Sequence, residues 1–388
     1  MRRDYKYAVV GLGGIGSAAT YWLARRAGSD VLGLEQFTLG HDRGASQDHS
    51  RIIRRSYHAP VYVDLAGAAY DAWRSLEADA GQSLLVRTGG LDLWPSGAAI
   101  AMEDYTHSLD ACGVEYEVFD SAEVAKRWPQ WRLEVDVRVL YQADAGIAPA
   151  ARCNAAHVHL ARARGATLLE NSEVTSVRDL DGEVEVYTNR GAFRCEHLII
   201  AADAWSNGIL ASFGAHLPLT VTQEQVTYFS TPEPEQFSPE RFPVWIWMDE
   251  PSFYGFPVYG EAGIKAAQDV GGREVTPDTR TFATDKAALQ RVQDFLAARL
   301  PEALGPRIYT KTCLYTMPPD RDFVVDRVPG HDDVFVALGA AHGFKFASLL
   351  GRILCDLATE GACEFDLTSF RIDRPALTQP AAAKSFMI

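Results

Sequence analysis

Gly11-Leu12-Gly13-Gly14-Ile15-Gly16, with an acidic residue further on at Glu35, offers the most specific chemistry in this chain. Glycines at this spacing let the backbone turn tightly and approach a pyrophosphate, whose charge is favoured by the amides and dipole of a helix N-terminus. A carboxylate ending the next strand can accept hydrogen bonds from ribose hydroxyls. The set reads as a site for an ADP-containing dinucleotide, and it does not choose between FAD and NAD. A second set is cationic. Arg51 and Arg54 stand three apart in a polar loop over 44–55, and a helical turn there brings them to one face. Lys265 stands among small apolar residues in Gly263-Ile264-Lys265-Ala266, and Lys345 follows a second glycine-containing stretch, Gly339-Ala340-Ala341-His342-Gly343-Phe344. The bland alternatives are a solvated basic turn for the arginines and a lysine snorkelling to solvent.

The elements that must position these residues are legible in outline. A short apolar strand over 7–10 precedes the glycines. A helix with Ala18, Ala19, Trp22 and Leu23 on one face follows, then a second strand over 31–34 closed by Glu35. Tyr62, Leu65, Ala69, Trp73 and Leu76 recur at helical spacing. Short strands at 91–94, 114–119 and 137–141 begin a second domain. A helix over 150–164 with Gly165 as its stop leads to strands at 167–169, 174–177, 184–188 and 193–195, with a hairpin turn at Asp181-Gly182. Leu198 to Ala202 is fully apolar, as a central parallel strand should be, so the dinucleotide domain resumes there after an insertion. Residues 217–314 alternate strand and loop, with strands over 221–230 and 244–248, a strand meeting a turn at 253–257 and an amphipathic helix over 285–300. A buried strand at 334–338, the second glycine stretch and a helix over 347–357 close the same sheet. The expected class is α/β, with a dinucleotide domain over 1–83, 142–216 and 315–388 and a substrate domain over 84–141 and 217–314.

At 388 residues and a net charge of −14, the chain argues against nucleic acid or an anionic membrane as partner. A local cluster of arginine and lysine can still invert the field inside one cleft and admit an acidic substrate. No apolar run approaches the roughly twenty residues of a membrane span, and the N-terminus enters a strand without a signal peptide. Six cysteines lack metal-ligand spacing, which suits inert thiols in a reducing cytoplasm and no metal site.

Four passages resemble the monomeric sarcosine oxidase family of flavoprotein amine oxidases. Leu34-Glu35-Gln36-Phe37 leads through Arg43-Gly44 to Ser50-Arg51-Ile52-Ile53-Arg54. Tyr254-Gly255-Phe256-Pro257 precedes Gly263-Ile264-Lys265. Cys313-Leu314-Tyr315-Thr316 precedes Pro319-Asp320-Arg321-Asp322-Phe323. His342-Gly343-Phe344-Lys345-Phe346-Ala347 is followed by 365–371. The likeness runs in order through essentially the whole chain. It implies a Rossmann-like FAD-binding domain and an inserted α+β domain carrying a large, mostly antiparallel sheet. It also implies FAD attached covalently through Cys313, and cofactor contacts from the glycine turn, Gln36, Ser46, Ser50, Val174, Gly339, His342, Gly343, Phe344 and Lys345. Arg54 and Lys345 would clamp a substrate carboxylate, a fork and a point charge. Lys265 would hold a water beside flavin N5 and act on oxygen, Arg51 would stabilise the reduced ring, and Tyr254 and Tyr315 would line the substrate pocket. The implied protein is a cytoplasmic monomer acting on a small amine with a carboxylate, with O2 as acceptor.

Departures from the family spelling bear on substrate. Gln47 and Asp269 stand where the family commonly has histidines, Ala341 alters the stretch before His342, and Asp203 replaces an expected glycine. Asp269 could attract a cationic amine or a second basic group. Trp245 and Trp247 point to one side of a strand, where either could floor an apolar pocket or simply fill core. The leading expectation is an oxidase of secondary, N-methyl or cyclic amino acids. The alternatives are a tailoring enzyme for a bulkier amine, a flavin dehydrogenase or carrier, and, for the glycine motif alone, a nicotinamide dehydrogenase.

Overall fold

Tyr7, Ala8, Val9 and Val10 are buried one after another because the strand Asp4–Val10 lies in the middle of a sheet covered on both faces. The computed structural model describes residues 2–180 and 182–379. Asp4–Val10 runs parallel to Val31–Leu34 on one side and to Gly191–Ile200 on the other, and Val31–Leu34 runs parallel to Thr167–Leu169. The separate strands expected at 193–195 and 198–202 are one continuous strand, Gly191–Ile200. Its first half pairs antiparallel with Val184–Thr188, and Leu198–Ile200 pairs parallel with Val334–Val336. Pairing with Asp4–Val10 along one edge carries the strand through Glu196 and His197, where the apolar pattern breaks and the partner on the other edge changes. Val174–Asp179 and Val184–Thr188 pair antiparallel across the expected turn, of which Asp181 lies outside the described residues.

The helices Gly14–Ala27, Pro60–Ala80, Ala150–Ala163 and Ala347–Glu360 cover one face of this sheet. They bury Tyr21, Leu23, Trp73, Leu76, Leu350 and Leu354 against Val9 and Ile199. Each such leucine contributes about 2 kcal/mol by leaving water.

Among the described residues, nine strands form a second, mostly antiparallel sheet. It takes Gly90–Trp94, Glu117–Asp120 and Arg138–Gln142 from one stretch of chain and six strands between Thr220 and Met317 from another. Its last strand, Arg307–Met317, runs unbroken past position 314. One face packs on the helix Lys286–Arg299: Leu91, Leu93, Trp245, Trp247 and Phe253 meet Val292, Leu296 and Phe295 there. The opposite face looks back toward the first sheet. A small three-stranded sheet, with Arg51–Ile53 and Val86–Arg87 on either side of Gly146–Ala148, lies in the same region.

Candidate active site

A cavity of about 1790 Å³ runs from the glycine turn to the inward face of the second sheet. That is larger than the roughly 300–1,000 Å³ of ordinary small-ligand pockets. Gly11 has φ +86°, and a Cβ there would lie 2.5 Å from the Ala201 carbonyl oxygen. Gly16 does not border the cavity; a Cβ on it would meet the Gly11 carbonyl oxygen at 1.8 Å, so its lack of a side chain lets the turn close onto the helix. Gly13 is the N-cap of Gly14–Ala27, with no side-chain cap and no acidic residue in the first turn. Its free amides therefore suit an anion. Glu35 is buried and held in place: its carboxylate accepts from the Leu12 amide at 2.9 Å and the Phe37 amide at 3.0 Å. Gly11, Gly13, Gly14, Ile15, Glu35, Gln36, Ser46, Val174, Gly339, His342, Gly343 and Phe344 all border this cavity. The open turn, uncapped helix and anchored acid fit a dinucleotide cofactor.

Register decides what meets the other end. Directly paired residues share a face of a sheet. Asp92 pairs with Ile246, Ile246 with Tyr254, Phe256 with Lys265, Lys265 with Tyr228, and Thr222 with Tyr315. These residues, with Asp269 and Cys313 at matching parity, form the inward face. Tyr254, Asp269, Cys313 and Tyr315 border the cavity, and so do Gln47, Arg51, Arg54 and Lys345.

Arg51 and Arg54 do share the cavity, but not through the expected helical turn. Arg51–Ile53 is a strand, and Arg54 reaches the same space because the strand ends before it. Arg51 donates to the carbonyls of Ala45, Gln47 and Ser50, pinning the loop that carries it. Arg54 is buried and donates to Asp92 Oδ1 at 2.7 Å, with Tyr57 and Tyr105 beside its guanidinium. Lys345 donates to the His342 carbonyl at 3.3 Å and sits 5.6 Å from the Tyr57 ring centre. Burial, then Arg54 and Arg321, push its amine down to about 7 against the attraction of Asp269 and Asp92. A carboxylate ligand would restore its charge, so binding takes up a proton above that pH. Benzoate is expected to bind about tenfold more weakly per pH unit above 7. In Lys345→Met binding is expected to be weak and lose that slope. Calorimetric titration checks both.

Three further expectations, for Trp245, Lys265 and Ser50, need correcting. Trp245 does not floor the cavity: it packs against Trp131 and Phe295 on the outward face, and its neighbour Ile246 borders the cavity instead. Lys265 neither snorkels nor borders the cavity. It is 1 % exposed, behind Ser50, Arg51 and Phe256, with Nζ 2.8 Å from Asp48 Oδ2 and hydrogen bonds to Ser50 O (2.8 Å) and Oγ (3.1 Å). Ser50 is likewise sealed behind Arg51 and takes part in holding Lys265 rather than in lining the cavity. Burial pulls Lys265 down to about 8 against the attraction of Asp48. Asp48 would be raised by burial, but Lys265 and Arg51 hold its carboxyl well below the usual range. Its stabilising contribution is therefore present above about pH 4 and is lost in stronger acid. Burial raises the Cys313 thiol to about 11, opposed by Arg51.

Sequence reasoning missed the partners. Asp92 was hidden inside an apolar strand, where the alternation Leu91-Asp92-Leu93 was the available signal. Asp48 lay unremarked in the polar loop. Arg321 borders the cavity and pairs with Asp269 at 3.4 Å, so the acid expected to attract a cationic amine already faces a cation of the chain. Asp203, Ala340 and Ala341 border or adjoin the cavity in left-handed backbone, with φ of +47°, +46° and +71°. For residues with a Cβ this conformation costs about 1–2 kcal/mol, which accounts for the glycine that the resemblance implied at position 203.

Residues 6–357 match the family model described as FAD dependent oxidoreductase. Over 385 residues the chain is 30% identical to a monomeric sarcosine oxidase of Arthrobacter sp. (strain TE1826), covering 98% of both. It is 29% identical to an N-methyl-L-tryptophan oxidase of Escherichia coli O9:H4 (strain HS), over 95% of this chain and 99% of that one. Among solved structures, NikD, described as an unusual amino acid oxidase essential for nikkomycin biosynthesis, superposes with a TM-score of 0.85 at 26% identity, covering 95% of this chain and 97% of that one.

Proposed function

The chain belongs to the FAD-dependent oxidoreductase family, and from that premise we propose that it is an FAD-dependent oxidase of secondary, N-methyl or cyclic amino acids. The observation that carries this reading is the single cavity holding the glycine turn and Glu35 at one end and Arg54, Lys345, Tyr254, Tyr315 and Cys313 at the other. In this reading 1–83, 142–216 and 315–388 hold the cofactor, and 84–141 and 217–314 present the substrate.

The chain's own groups divide the work. The Gly11–Ile15 turn and its helix amides receive the diphosphate, and Glu35 receives a ribose. Arg54, already oriented by Asp92, and Lys345 take the substrate carboxylate, which fixes the amine nitrogen and its adjacent C–H relative to the ring system. Tyr254 and Tyr315, both kept protonated by burial, wall the amine and exclude water. Arg51 and, behind it, Lys265 place two cations where negative charge develops, with no reorganisation needed at the moment of reaction. FAD, when bound, would accept a hydride equivalent from the amine carbon and pass the electrons to O2, giving an imine and hydrogen peroxide. The protein in this reading acts as a cytoplasmic monomer.

An amine panel scored by peroxide tests the reading. N-methyl amino acids, pipecolate and proline should release peroxide, and absence of anaerobic bleaching of the flavin by every one of them would remove it. We also place the covalent link at Cys313, which faces Arg51 inside the cavity. The wild-type colour is expected to stay with acid-precipitated protein, and in Cys313→Ser to stay in the supernatant.

Asp269 and Gln47 on the wall support a second reading, a tailoring oxidase for a bulkier or more basic amine. Faster turnover on aromatic or cyclic acids than on sarcosine would favour it.

A further inference from the structure

Arg54 and Lys345 come from segments remote in sequence. One follows the strand Arg51–Ile53 and the other lies in the turn before the helix Ala347–Glu360, yet both charges sit over the same buried ring. The central carbon of the Arg54 guanidinium lies 5.2 Å from the centre of the Tyr57 ring, and Lys345 Nζ lies 5.6 Å from it. Tyr57 has no exposed surface and does not border the cavity. Its ring stacks on Tyr62 with centres 5.3 Å apart and meets Phe346 at 5.5 Å, which fixes its orientation. Its buried hydroxyl has no hydrogen-bond partner. What Tyr57 presents to the two cations is therefore the face of the ring, the negative side of the aromatic quadrupole.

Lys345 depends on such a contact more than Arg54 does. Arg54 has Asp92 as its counter-charge. Among the described residues Lys345 has no ion pair, and its ammonium donates to the His342 carbonyl at 3.3 Å. Burial and the like charges of Arg54 and Arg321 favour its neutral form, and a neutral amine holds a carboxylate poorly. A ring face within about 6 Å attracts a cation, most strongly where water is excluded. We propose that Tyr57 is a positioning residue of the carboxylate site, whose ring keeps Lys345 charged beside Arg54. The proposal deepens the oxidase reading and rests on its assignment of those two cations to the substrate carboxylate. Phe346 adds a more distant face, its ring centre 6.0 Å from Lys345 Nζ. The other charged and titratable groups acting on Lys345 are Arg321, Asp269, Asp92 and His342. A change confined to the electronics of the Tyr57 ring leaves all of them in place.

The test changes that electronics at nearly constant shape. Holoenzyme is prepared as wild type, as Tyr57→Phe, and with difluoro- or trifluorophenylalanine at position 57. Fluorine withdraws electron density from the ring face while the ring still fills its site. Benzoate is the probe, titrated by calorimetry across pH, with Lys345→Met as the control. In wild type and Tyr57→Phe binding is expected to weaken from about pH 7 upward, where Lys345 loses its proton. With trifluorophenylalanine that break is expected about half to one pH unit lower, and with difluorophenylalanine between the two, because the charged form loses part of its contact. At a fixed pH above the break this is about threefold to tenfold weaker binding. Below about pH 6 all four proteins are expected to bind alike, since Lys345 is charged in each. A ring that only filled the core would leave the break unmoved. Coincident breaks in all four proteins, with wild-type binding still falling above pH 7, would overturn the role of Tyr57 alone. Wild-type binding that matches Lys345→Met at every pH would overturn the carboxylate site and the role of Tyr57 with it.

Discussion

Arg54→Met is expected to lower kcat/KM for an amino acid substrate by about 10²–10³, the scale of truncating one member of a buried, hydrogen-bonded charge pair. The same change should destabilise the fold by about 3–5 kcal/mol, because it leaves Asp92 buried without the guanidinium 2.7 Å away. These two losses have different origins and can be separated. Adding Asp92→Asn removes the stranded charge, so the double variant should regain most of the stability, read by urea titration. Its kcat/KM should stay low, because the substrate carboxylate still lacks its fork. Recovery of activity along with stability would mean that Arg54 serves the fold alone and that the carboxylate binds elsewhere.

Lys265→Met is expected to slow reoxidation of the reduced enzyme by about 10²-fold, the scale on which a single fixed charge or donor acts in a water-poor site. Reduction by the amine should stay within a few-fold of wild type, since Lys265 does not border the cavity proposed to hold the substrate. The wild-type oxygen rate should fall as pH rises through about 8, where Lys265 loses its proton, and the variant should show no such fall. The linkage sign is opposite for stability. A lysine whose folded value lies below its unfolded one destabilises the fold at lower pH, and that penalty is relieved between about 8 and the unfolded value. Stopped-flow mixing of each reduced protein with O2 across pH reads the effect. A variant as fast as wild type would remove Lys265 from the oxygen step.

The sequence by itself determined the cofactor end. Glycines that admit no Cβ, a strand on either side and an acid at the second strand's end are local requirements, satisfied within one βαβ stretch, so residues 7–35 carry them without help from distant chain. The whole-chain resemblance likewise pointed to Arg51, Arg54, Lys345, Tyr254, Tyr315 and Cys313, which all border one cavity. Tertiary structure alone decided the partners and the faces. Whether Trp245 or Ile246 looks into the cavity depends on a pairing register between strands from different parts of the chain, and a shift of one residue exchanges them. Asp92 with Arg54, Asp269 with Arg321, and Tyr228 with Asp48 and Lys265 are likewise contacts across sheets and loops. A buried charge needs a counter-charge, and the chain meets that need with residues remote in sequence, so the need is visible along the chain but its answer appears only when the sheets pack.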